Sequence, residues 1–206
     1  MKEGDVTMST QTMTKPSSNT MSTKQIATIG ICAAVSFVLM FVKFPISYLG
    51  FLELEISDVP AALVTLIYGP VSGVLVELVK NILHLTATST GMSGELSNFL
   101  VSVGFVVPLG FFTRRSKEKK NLILGMGAGT IGLAFMGMLV NYFITVPLYL
   151  TLFGKEAVMG MVQATIPAIH NLGSLVILGI TPFNIFKGLI ISVCAVSLYK
   201  VVKNRI

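Results

Sequence analysis

Residues 51–84 read FLELEISDVPAALVTLIYGPVSGVLVELVKNILH, and they set four acidic residues, a lysine and a histidine inside one of the most apolar parts of the chain. Ser57 or Asp58 is a suitable N-cap and Pro60 a suitable first-turn residue, so a helix is predicted from here to Tyr68. Gly69-Pro70 breaks it. A second apolar helix follows from Val71, and along it Glu77, Lys80, Asn81 and His84 fall at i, i+3, i+4 and i+7, which is one face. A charged stripe facing lipid is expensive, so this face is expected to look into protein or a watery cavity. The first helix reaches only about 15 Å at 1.5 Å per residue. Such a segment is tilted and buried in protein, sits in a thinned bilayer, or belongs to a loop that dips into the membrane. Short spans of this kind tend to line binding sites.

Composition fixes the class. Of 206 residues, 53% are hydrophobic and 12% charged, with a mean hydropathy of +0.82. A soluble domain carries about 25% charged residues, so an integral membrane protein of several spans is expected. The net charge of +6 does not point to nucleic acid, because the basic residues sit between apolar segments rather than in one patch. Cys32 and Cys194 lie within apolar segments and read as small hydrophobes, not as a disulfide or metal pair.

Residues 1–24 read as a disordered polar tail rich in Ser and Thr, and 25–203 as a six-helix membrane domain. The first span is predicted over Ile26–Val42, followed by a loop from Lys43 to Ser57. The fourth span begins near Glu95 and ends at Phe112. The fifth runs from Leu122 to about Leu152, glycine-rich early, with Asn141 and Pro147 late. Residues 153–181 are expected to form a long, partly helical outer loop, and the last span to open at Pro182 and end at Tyr199. Six spans place both termini on the side of the 114–120 loop, and that side holds eleven of the fifteen Lys and Arg residues. By the positive-inside rule it is cytoplasmic. Glu95, Asn98, Asn141, His84, Asn184 and Lys187 then belong to the outer half.

Each of these residues has a plain structural reading as well. Glu77 and Lys80 form either an ion pair between helices or part of a ligand site. His84 suits a satisfied interfacial histidine, and Asn141 and Asn184 suit interhelical hydrogen bonding. The acidic stretch 53–58 lacks calcium-loop spacing and reads as a solvated face. Lys187 lies in an apolar span with no acid within a helical turn, so it needs a partner from another element or from a ligand.

The FLELEISDVP segment, the Gly-Pro turn, VELVKNILH, GELSNFL, and Pro182-Phe183-Asn184 with Lys187, taken in order, resemble the riboflavin-specific S components of energy-coupling-factor (ECF) vitamin transporters. The resemblance covers residues 25–203. It implies an all-α protein of six transmembrane helices in a prokaryotic plasma membrane. That protein is not an enzyme, binds riboflavin from outside, needs no cofactor or metal, and is energised by a separate module of one transmembrane subunit and two ATPases. The family docks its partner through a small-xxx-small motif in the first span. Here Ala27 is followed at i+4 by Ile31, but Gly30 and Ala34 have the spacing, with Ala27 and Ala33 nearby.

Riboflavin gives the polar set a chemistry. Its uracil-like edge offers an N–H between carbonyl acceptors, which Asn141, Asn184 and Lys187 suit. The ribityl hydroxyls suit Glu77, Asn81, Glu95 and Asn98, with the 43–58 loop closing over them and Tyr48 among the apolar walls. Three other readings stay open: a membrane enzyme using Glu77 and His84 as an acid–base pair, a structural or scaffold subunit with no ligand, and an S component for another vitamin.

Overall fold

The computed structural model describes residues 21–42, 47–49, 52–88 and 91–203. The expected polar tail lies outside the described residues as far as residue 20, as do Lys43, Pro45, Gly50, Thr90 and Arg205.

Helix α2 (Val59–Tyr68) is the short helix around which the bundle is built. Seven of its ten residues are buried, and it packs against α1 (Thr23–Leu39), α3 (Pro70–His84), α4 (Ser93–Thr113) and α9 (Thr181–Val202). Of the three sequence-level explanations for its length, burial in protein is the one observed. Gly69, at φ 97°, breaks the chain between α2 and α3, a conformation that favours glycine. The two helices then fold back so closely that a Cβ on Gly73 would overlap the Thr65 hydroxyl.

Two long rods complete the bundle. The first joins α5 (Lys119–Val140), a π-helical stretch (Asn141–Thr145) and α6 (Val146–Phe153) into 35 residues. The second joins α8 (Leu172–Ser174), a π-helical stretch (Leu175–Ile180) and α9 into 31 residues. Between them lies the exposed helix α7 (Lys155–Thr165). The last helix therefore starts ten residues before Pro182, and the connection ahead of it is shorter than expected. Proline lacks an N–H and crowds the carbonyl four residues back, which makes it look like a start signal. Here the chain widens just ahead of each proline: the Val146 N–H bonds Asn141 O before Pro147, and the Thr181 N–H bonds Val176 O before Pro182. These i→i−5 bonds carry the helix through.

Contacts fix the alternation of the rods. At one end Gln25 donates to Ser72 Oγ (2.8 Å), Thr28 meets Tyr68 (3.4 Å), and Gly110 lies against Pro70. That end gathers the start of α1, the α2–α3 turn and the α4–α5 turn. Helix α9 runs antiparallel to α5, joined by Thr130 and Ser192 (3.4 Å), so its C-terminus lies at the same end. The opposite end carries a two-rung antiparallel hairpin, Ser47–Tyr48 with Leu52–Glu53, which the loop reading of 43–57 missed. Leu49, at φ 59°, drives its side chain fully inside, against Gly179, Ile169 and Leu175.

The described residues are nearly all helical. Ser93–Thr113, Lys119–Phe153 and Leu172–Val202 are each long and apolar enough to cross a membrane, while α1 and α2 are shorter apolar helices. The outward faces are apolar, with Ile31, Phe111, Ile131, Phe143 and Val201 exposed, while Glu55, Asp58, Glu77, Lys80, Glu95 and Lys187 are inside. This inverts a soluble protein and suits lipid as solvent.

Candidate ligand-binding site

The polar face of α3 turns inward, as its i, i+3, i+4 spacing requires. Lys80 is fully buried and donates to Asp58 Oδ1 at 2.5 Å, with Glu77 Oε2 at the same distance on its other side and Ser57 Oγ at 3.3 Å. From α9, Lys187 Nζ meets Asp58 Oδ2 at 2.9 Å and Glu55 Oε1 at 3.4 Å. Helix α4 adds Asn98, which donates to Glu55 at 2.7 Å, and Ser102, which donates to Asp58 at 3.0 Å. Three carboxylates and two ammoniums are thus held together by the 55–58 segment, α3, α4 and α9.

Lys187 therefore has acidic partners, Asp58 and Glu55. The reading of 53–58 as a solvated face fails for Glu55 and Asp58, both buried. Asp58 does precede α2, but its side chain makes no cap bond because the two lysines take it. Glu55, Ser57, Asp58 and Ser102 are the polar contributors that sequence reasoning did not name in the site. The signal was present: two acids directly before a wholly apolar helix, and a distant lysine without a local partner.

A second group lies where α5 passes α9. Asn141 and Asn184 are both buried. Asn141 Nδ2 donates to Gly137 O (2.7 Å), and Asn184 Nδ2 donates to Ile180 O (2.9 Å). A Cβ on Gly137 would stand 2.6 Å from Asn184 Nδ2, so the two amides meet around this glycine. One turn along α9 from Asn184, Lys187 links this pair to the charge cluster. Asn81 lies beside Glu77 on α3, its Nδ2 on Glu77 O at 2.9 Å.

The remaining candidates sit at the edge. Glu95 accepts from Thr88 (3.0 Å) and pairs with His84 Nδ1 (2.9 Å), tying α3 to α4, while the His84 ring packs on Phe37 of α1 and on Phe41 just beyond its end. Tyr48 stacks on Phe183, centroids 5.7 Å apart and planes within 9°, so the hairpin is seated on the N-terminal end of α9. Of the small residues in α1, Ala27, Gly30 and Ala34 are exposed, and Gly30 has open space where a Cβ would be. Ala33 is fully buried in the core and is removed from the docking stripe.

Residues 24–199 match the family model of the ECF transporter substrate-specific component. The chain belongs to this family. A riboflavin transporter of Staphylococcus aureus, RibU, is 35% identical over 90% of this chain and 94% of its own length. The riboflavin transporter FmnP of Bacillus subtilis is 30% identical over 84% and 88%. A solved S component of a bacterial ECF transporter matches with a TM-score of 0.69 and 34% identity, covering 88% of this chain and 96% of that one. This substrate-specific component is thus a cell-membrane protein and not an enzyme, which disposes of the acid–base reading of Glu77 and His84. The observed partner of His84 is Glu95.

Proposed function

We propose that the chain captures riboflavin at the polar end of the bundle and hands it to an ECF module, one transmembrane subunit with two ATPases, that energises import. The observation that carries this reading is the convergence of Asn141, Asn184 and Lys187 on the buried crossing of α5 and α9, in a chain 35% identical to a named riboflavin transporter. The two amides and the ammonium read the uracil-like edge of the ring. Glu77, Asn81, Asn98 and Glu95 take the ribityl chain, and Tyr48 with its hairpin closes over the ligand.

Six spans cross the membrane with both termini in the cytoplasm. Arg114, Arg115, Lys119, Lys120, Lys200 and Lys203, all exposed, gather at the end that holds the α4–α5 turn and the end of α9, and the positive-inside rule makes that end cytoplasmic. The site then faces outward. The stripe Ala27, Gly30 and Ala34 meets the module, since small residues let a second helix approach closely.

Purification from cells grown with riboflavin tests the function. A yellow protein that releases riboflavin on denaturation, identified by mass spectrometry, supports it. Release of a different vitamin would move the chain to another member of the same family.

A further inference from the structure

Two lysines open α5 where a helix favours the opposite charge. Lys119 and Lys120 occupy its first turn, no acidic residue stands in that turn, and Glu118 just ahead makes no side-chain cap bond. The first four N–H groups of a helix lack internal partners, and its N-terminus carries partial positive charge. Cations there are unfavourable, and an outside anion would relieve them.

Two other segments bring more positive charge to the same place. Thr130 of α5 meets Ser192 of α9 at 3.4 Å. Lys119 and Lys203 each lie eleven residues from that contact on antiparallel helices, about 16 Å along each, so they reach one level, with Lys200 a turn short of it. Thr113, the last residue of α4, lies against Gly125, so Arg114 and Arg115 leave α4 beside the first two turns of α5. All six of these basic residues are exposed, and among the described residues none has an ion pair. Glu118 is the one acid in residues 114–120 and 196–203.

An apolar collar adjoins the charges. Phe111 and Phe112 on α4, Ile123 and Leu124 on α5, and Leu198 and Val201 on α9 are all exposed, each within four residues of a basic one. We propose that this end of the bundle binds an anionic phospholipid, its phosphate held between the start of α5 and the end of α9 and its acyl chains lying on the collar. A free phosphate would meet the lysines and leave the collar unused, whereas a diacyl lipid meets both. Basic sites between helices at the membrane surface recognise anionic headgroups in this way. The proposal is independent of the ligand in the opposite half.

Native mass spectrometry of the full chain in detergent, titrated with dioleoyl phosphatidylglycerol or dioleoyl phosphatidylcholine, tests this. The two lipids share acyl chains and differ in headgroup charge. Each basic residue near the surface favours anionic lipid about fivefold, so two engaged lysines predict that phosphatidylglycerol binds about tenfold or more tightly. Joint substitution of Lys119→Gln, Lys120→Gln, Lys200→Gln and Lys203→Gln is expected to bring the two lipids within about twofold of each other. Exposed changes of this kind leave the fold intact, which circular dichroism checks. Lys155→Gln, on exposed α7 at the opposite end, should keep the parent's preference. Equal binding of the two lipids by the parent would overturn the proposal, and so would a fourfold variant that retains the preference. If that variant keeps the preference but no longer co-purifies with an ECF module, the lysines serve a protein partner instead.

Discussion

The two halves of the bundle are held together by opposite means. In the half near the α4–α5 turn, backbone lies on backbone. A Cβ on Gly132 would stand 2.1 Å from Gly104 O, one on Gly129 3.0 Å from Phe105 O, and one on Gly110 2.6 Å from Pro70 Cβ. In the other half the helices are joined through Asp58, Lys80, Lys187 and Glu55. Lipid tails are as apolar as leucine, so apolar burial alone drives little helix association in a membrane. Close packing supplies it in the glycine half. Charge in the other half is a poorer adhesive, because desolvation offsets most of the attraction. Its presence there fits the proposed binding of a polar ligand at this end.

Three substitutions sharpen the contrast, in falling order of effect on the fold. Asp58→Asn leaves two buried lysines short of a partner, and breaking a buried pair costs about 3–5 kcal/mol. Loss of folded protein, or a large drop in melting temperature by scanning fluorimetry, is expected. A melting temperature equal to the parent's would mean the cluster is hydrated and not load-carrying. Gly132→Ala forces α4 and α5 apart, and overpacking of this kind costs about 1–3 kcal/mol. Melting is expected to fall by several degrees, while riboflavin affinity in the protein that remains folded stays within about twofold at 1.4 kcal/mol per decade. A loss of affinity as large as the loss of stability would erase the distinction between the halves. Gly30→Leu meets open space, so neither melting nor affinity should move. Uptake by cells expressing the whole transporter should stop, because the side chain blocks the approach of the module. Normal uptake would shift docking to another face.

Much of this was legible beforehand. The nearly all-helical, apolar character, the buried face of α3 and the need of Lys187 for a remote partner all follow from composition, periodicity and the cost of charge in lipid. Other features were not. Pro182 looked like a helix start because a proline ordinarily ends the preceding helix, and the π-helical widening that lets the chain pass leaves no simple mark in the sequence. Asp58 looked like a cap because its neighbours are Ser57 and Pro60, yet α3 and α9 bring two lysines to its carboxylate from 22 and 129 residues away. Only the packing of α2 at the centre puts those residues together. Ala33 lies three residues after Gly30 and one before Ala34, and a cluster of small residues does not tell which edge faces in.

The central claim is that the crossing of α5 and α9 binds riboflavin, and calorimetric titration of riboflavin into the parent chain, Lys187→Met and Asn184→Ala tests it most directly. A hydrogen bond to a charged group contributes about 1.5–3 kcal/mol. Lys187→Met is therefore expected to weaken binding about ten- to a hundredfold at 1.4 kcal/mol per decade, with a fall in melting temperature as well, since Asp58 and Glu55 lose a partner. Asn184→Ala is expected to weaken binding about tenfold and to change melting little. Parent-like affinity in both variants, with lowered stability in Lys187→Met alone, would contradict the claim and leave the lysine as a purely structural counter-ion.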